Sequence, residues 1–120
     1  MFIAALAIIA AAPLDAFDDA NLALTQCSFA IVRESHAADR TDAEFQRLLA
    51  SRCSAQTAAL RREMVSIETR RGGSPARAAA NADRLIARVR ADFAAQYARR
   101  KEDEAKLRAL GRALREEGNQ

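Results

Sequence analysis

Apolar residues recur at intervals of three and four along most of the chain, the spacing that places them on one face of an α-helix. The longest such stripe has the spacing four, four, three, four, four, three and consists of Phe45, Leu49, Cys53, Gln56, Leu60, Met64 and Ile67. Thr41 and Glu44 precede it in the capping-box pattern that begins a helix. Gly72 and Gly73 follow it with the backbone freedom that ends one. The pattern predicts a helix over residues 42–71.

Two further helices are predicted on either side of this one. The first covers residues 17–38, with an apolar face made of Leu22, Cys27, Phe29, Ala30 and Ile31. The third begins at Ser74-Pro75, an N-cap serine followed by a proline at the first helical position. Its stripe consists of Ala79, Ala82, Ile86, Val89, Phe93 and Tyr97. The predicted fold is all-α: an antiparallel three-helix up-down-up bundle with a long third helix.

The third helix is predicted to extend beyond the ends of the other two. Folding it back at Gly73 sets Phe93 beside Cys53 and Tyr97 near Leu49, so residues after about 104 have no partner at their level. We therefore predict a bundle over residues 17–104 and a protruding, charged helical arm over residues 105–120. The arm carries a short coiled-coil-like seam of Leu107, Leu110 and Leu114. Gly111 weakens the helix there, so we expect fraying beyond it.

The N-terminus is uncharged and apolar over residues 2–12, which is typical of an export signal. We predict a signal peptide over residues 1–16 with cleavage after Ala16, and cleavage near Ala11 is the alternative. The mature protein would then be periplasmic or secreted. The apolar run is too short to span a bilayer. A retained N-terminal anchor and a cytosolic protein with a buried N-terminal helix remain the other interpretations.

The two cysteines lie almost equally far along the chain from the turn predicted near residues 39–40. Antiparallel helices would bring Cys27 and Cys53 to the same height, and exported thiols pair. A redox site would need the close Cys-x-x-Cys spacing, so we predict a structural disulfide. A quarter of the residues are alanine and none is tryptophan, and a small domain with so thin a core usually needs such a covalent link.

Composition argues against a catalytic or metal site. The chain has 19 basic and 16 acidic side chains and a net charge of +3, which indicates a solvated surface with many ion pairs. His36 is the single histidine, and one imidazole makes a poor transition-metal site. We expect it to be solvated near a helix C-terminus. We predict no catalytic residue, no metal, no cofactor and no nucleic-acid partner.

Two surfaces are candidates for binding a partner. The first is the glycine-turn end, where Arg61, Arg62, Arg70, Arg71 and Arg77 gather, with Arg84, Arg88 and Arg90 behind them. It would suit an acidic partner or an anionic membrane surface. The second is the leucine seam of the arm, which could self-associate, dock on a protein or be only a marginal helix.

The predicted function is that of a small exported helical protein, a non-enzymatic interaction or envelope-associated binding module. One alternative is a membrane-apposed structural protein with a retained N-terminal anchor. The other is a ligand carrier or enzyme with a cryptic pocket between the helices.

Overall fold

The structure, a computed structural model, describes residues 12–119, and the surroundings of side chains from residue 15 onward. Four helices make up this range: α1 (Ala12–Ala37), α2 (Asp42–Arg52), α3 (Ser54–Arg70) and α4 (Pro75–Gly118). No strand occurs in it, so the all-helical prediction is confirmed. Most of the predicted signal segment, residues 1–16, lies outside the described residues. Helix α1 already includes its last residues.

The buried face of α1 differs from the predicted one. Ile31 is buried as predicted, but Leu22 and Phe29 are exposed, and Leu24 and Ser28 are buried instead. Ser35, one helical turn beyond Ile31, is buried as well. Because two of these buried residues are serines, the spacing of apolar residues does not reveal this face. The Ser28 hydroxyl donates to the Leu24 carbonyl at 2.7 Å, which satisfies it inside the protein.

The predicted helix over residues 42–71 is two helices separated at Cys53. This residue has φ −101° and ψ 18°, outside helical geometry. The break is local, because the Cys53 N–H still donates to the Leu49 carbonyl at 3.3 Å and its carbonyl accepts from the Thr57 N–H at 2.9 Å. Neither glycine nor proline marks the position. The four-helix count therefore replaces the predicted three.

The helix ends that carry local signals lie where they were predicted. Glu44 N–H donates to the Thr41 hydroxyl at 3.2 Å, and the Thr41 N–H donates to the Glu44 carboxylate at 3.4 Å, which completes the capping box. At the second turn Gly72 has φ +95°, a conformation that strains other residues. The Ser74 hydroxyl then caps α4 by accepting from the Arg77 N–H at 3.2 Å.

The core is small and joins all four helices. Its buried members are Leu24, Ile31, Phe45, Leu49, Cys53, Leu60 and Tyr97, and Phe17, Met64 and Phe93 pack against their edge. Ala78 and Ala82 are fully buried in α4. Their small side chains allow the neighbouring helices to approach closely. The predicted stripes of the second and third helices are thus largely confirmed.

Tyr97 lies about one helical turn from its predicted level. It stacks on Phe45, with ring centroids 4.3 Å apart, where proximity to Leu49 was predicted. The second predicted helix is interrupted at Cys53, between Phe45 and the glycine turn about which this level was counted.

Helix α4 continues well beyond the other helices. It runs through Gly111 to Gly118 without interruption, so fraying after Gly111 is not seen. At about 1.5 Å per residue its 44 residues extend about 66 Å. The radius of gyration is 21.6 Å, whereas a compact chain of this length would have about 14 Å. The described chain is therefore elongated, and α4 is continuous through residues 105–118.

Candidate functional site

The sulfur atoms of Cys27 and Cys53 lie 2.12 Å apart, at disulfide distance, and the two Cα atoms are 5.9 Å apart. The bond ties α1 to the junction of α2 and α3. Cys53 is 1% exposed, which fits a structural link better than a redox pair, because exchange needs an accessible sulfur. Beside it, Arg52 forms a two-pronged ion pair with Glu34 and lowers the pKa of that carboxyl. Both partners are exposed, so the pair adds little stability.

A partly buried cluster, which we call the turn cluster, holds α4 against the α1–α2 turn. Its members are His36, Arg40, Phe45, Tyr97 and Lys101. Tyr97 is 1% exposed. Its hydroxyl lies 2.6 Å from the Arg40 carbonyl and 3.1 Å from the Ser35 carbonyl, so it can donate to either. The Lys101 ammonium donates to the same Arg40 carbonyl at 2.7 Å. Burial raises the pKa of Tyr97, which keeps the donor proton in place.

His36 is not solvated as predicted. Its side chain is 7% exposed, and its ring lies 4.4 Å from that of Tyr97. Neither ring nitrogen has a hydrogen-bond partner within the described residues, and Nδ1 is 4.0 Å from a carboxylate oxygen of Glu104. Burial lowers the pKa of His36, and the positive charge of Arg100 lowers it further. The fold therefore disfavours the protonated form of His36.

The lowered pKa of His36 makes the free energy of unfolding depend on pH. Since the folded pKa lies below the unfolded value, the unfolded chain takes up the proton first as pH falls below about 6.5. The contribution of His36 to stability is fully present above that pH and is lost as pH falls toward the pKa of the folded state. We expect the melting temperature of the wild type to fall more than that of His36→Gln between pH 7.5 and 5.5. Parallel curves for the two proteins would contradict this role.

The predicted arginine cluster is only partly free to meet a partner. Arg61 forms an ion pair with Asp83 of α4 at 2.8 Å and lowers the pKa of that carboxyl through the hydrogen bond. Arg70 donates to the Ser66 hydroxyl at 2.6 Å. Arg62, Arg71 and Arg77 are exposed, as are Arg84 and Arg88, whereas Arg90 is half-buried. Binding of an acidic partner at this end stays a prediction.

The leucine seam is the most exposed apolar feature among the described residues. Leu107, Leu110 and Leu114 are 68%, 56% and 59% exposed on the arm. By contrast, the base of the arm is attached: Lys101 reaches the α1–α2 turn, and Glu104 approaches His36. The contacts of Lys101 and Glu104 thus lie just before the exposed leucines along α4.

The cavities near these residues are small or open. One of about 10 Å³, room for about one water molecule, is lined mainly by apolar side chains, among them Leu24, Ile86 and Phe93. A wider depression of about 410 Å³ lies open at the glycine-turn end, beside Phe17 and Met64. Within residues 12–119, no three metal-ligating side chains converge.

The same part of the chain contains no helix with both the length and the hydropathy to cross a bilayer. Comparison with known proteins yields no match, whether with protein families, curated proteins or solved structures. The fold and the surfaces described above are therefore the basis for assigning a function.

Signals for the turn cluster were present in the sequence but were not recognised. Tyr97 is the only tyrosine, and Lys101 is one of two lysines in a chain rich in arginine. Their spacing of four residues places both on one face of a helix. The residues they meet are about sixty positions earlier, so no local pattern could have named the partners.

Proposed function

We propose that this protein is a small exported, non-enzymatic binding module whose arm is the binding surface. The observation that supports this most directly is the exposure of three leucines on a helix that continues past its last contact with the rest of the chain. The largest exposed apolar patch of a monomeric protein is often a functional surface.

The remainder of the fold would act as a scaffold that holds this surface in place. In this proposal α2 and α3 together form the second rod of an antiparallel up-down-up bundle. Helix α4 carries both the buried Tyr97 and the exposed leucines. Because one continuous helix links them, the arm would be held in a defined direction.

Export is supported by the cysteine pair. Disulfides persist mainly in oxidising compartments, and Cys27 and Cys53 lie at bonding distance. We propose that the mature protein begins near Phe17 and resides in the periplasm or outside the cell. Phe17 is half-buried against the core, so cleavage after Ala16 would leave this packing residue in the mature chain.

Removal of the arm tests the function. We expect a chain ending at Ala105 to keep its fold and its melting temperature within a few degrees, since Lys101 and Glu104 remain. The same chain should lose arm-dependent self-association, measured by analytical ultracentrifugation, or partner capture from an envelope fraction.

A matched pair of variants separates the leucines from the helix that carries them. Leu107→Gln, Leu110→Gln and Leu114→Gln together should reproduce the truncation. Ala105→Gln with Ala109→Gln, on the opposite face, should behave as the wild type. If the truncated chain shows the same assembly, the same captured partners and the same membrane association as the wild type, the arm is not the binding surface.

A further inference from the structure

Positive charge predominates over the first eleven residues of the arm, while Glu116 and Glu117 follow them and Lys106 pairs with Glu102 at 3.0 Å. Between residues 105 and 115 there are four cationic side chains, Lys106, Arg108, Arg112 and Arg115, and no acidic one. The three leucines of the seam fall within an arc of about 60° at 100° per residue. All seven side chains are exposed. The arm is therefore a basic amphipathic helix, with apolar side chains on one face and positive charge around the rest.

We propose that the arm binds the surface of an anionic lipid bilayer, with its leucines inserted at the level of the headgroups. This inference rests on the proposed function for the arm being a binding surface, and it names what the arm binds. Basic helices of this kind lie in the membrane interface, because apolar insertion and attraction to anionic headgroups act together.

A second copy of the arm fits the charges poorly. Parallel pairing along the leucine seam would bring Lys106, which flanks the seam, close to Lys106 of the second copy. Antiparallel pairing about Leu110 would set the acidic residues 116–117 opposite the acidic residues 103–104. Both arrangements bring like charges together, which disfavours association. A bilayer with anionic lipids meets the cationic side chains with opposite charge.

The seam is also small for a protein interface. Three leucine side chains remove roughly 200–400 Å² from water when fully buried. A stable protein complex buries about 800 Å² on each partner. A membrane surface imposes no such minimum, since weak apolar insertion is supplemented by attraction between anionic headgroups and the cations of residues 106–115.

The test uses the full oxidised chain and vesicles of defined composition. We expect co-sedimentation with vesicles of phosphatidylcholine containing one-third phosphatidylglycerol, and at least about tenfold weaker binding to pure phosphatidylcholine. Binding should weaken as NaCl is raised, because salt screens the attraction.

Two triple variants separate the contribution of the arginines to membrane binding from that of the leucines. Replacing Arg108, Arg112 and Arg115 with glutamine should lower the partition coefficient on the order of 100-fold, since each basic residue contributes about fivefold. The variant with glutamine at the three leucines should also lose binding. Ala105→Gln with Ala109→Gln should retain it. Circular dichroism would verify that each variant remains helical.

The outcomes distinguish this inference from the proposed function. Absence of binding to anionic vesicles overturns the inference, and arm-dependent dimerisation or protein capture in the same preparation would leave the proposed function standing. Vesicle binding that survives truncation at Ala105 overturns the inference too, because the membrane-binding surface would then lie elsewhere, such as the arginine-rich end.

Discussion

Reduction of the Cys27–Cys53 disulfide is expected to lower the melting temperature by about 15–25 °C. The bond closes a loop with a sequence separation of 26 residues. The chain-entropy relation assigns a loop of this size about 3.5 kcal/mol. In a domain this small, 1 kcal/mol corresponds to about 4–8 °C. The core has few large side chains, so the link is a substantial share of a total stability of about 5–10 kcal/mol.

Thermal unfolding followed by circular dichroism, with and without reductant, measures this effect. Helicity at low temperature should mostly survive reduction, because the helix caps and the turn cluster do not depend on sulfur. The double variant Cys27→Ala with Cys53→Ala should match the reduced wild type and should not respond to reductant. A melting curve that reductant leaves unchanged would show that the bond contributes nothing to stability.

Replacing Tyr97 with alanine is expected to lower the free energy of unfolding by about as much as reduction of the disulfide. Tyr97→Ala removes a fully buried ring that stacks on Phe45 and lies against His36, and such a loss costs about 3–5 kcal/mol. It also leaves α4 held to the α1–α2 turn chiefly by Lys101. Urea unfolding at pH 7.5 would measure the difference in the free energy of unfolding.

Tyr97→Phe is the matched control for this prediction. The ring remains and only the hydroxyl is lost, while Lys101 still donates to the Arg40 carbonyl. The expected cost is about 1 kcal/mol. If the alanine and phenylalanine variants have equal stability, the aromatic ring of Tyr97 does not contribute to stability. If the alanine variant is as stable as the wild type, the turn cluster does not support the fold.

The predictions that succeeded depend on neighbours in the chain. Thr41 with Glu44, and Ser74 with Pro75, define helix starts because their hydrogen bonds reach only three residues ahead. The leucine seam could be located because α4 contains no breaker before Gly111. The cysteine pairing followed from their equal distance to a short turn. Each of these inferences used positions close together or a simple count of residues.

The predictions that failed involved contacts between distant segments. His36 was expected in solvent, yet Tyr97 covers it from α4. Cys53 was placed inside one helix, yet the helix breaks where that residue meets α1. The face of α1 was assigned from its apolar residues, whereas Ser28 and Ser35 are buried on it. A serine can be buried when its hydroxyl bonds within its own helix, and hydropathy does not register this.

The amino-acid sequence by itself determined the helical class, the capped helix ends and the cysteine pair, and it predicted a charged, leucine-bearing arm. These follow from local backbone chemistry and from spacing along the chain. Only the tertiary structure decided the burial of His36, the break at Cys53, the choice of the buried face of α1 and the attachment of α4 through Tyr97 and Lys101. Each of these depends on the shape of a distant surface, and that surface exists only after the helices have packed.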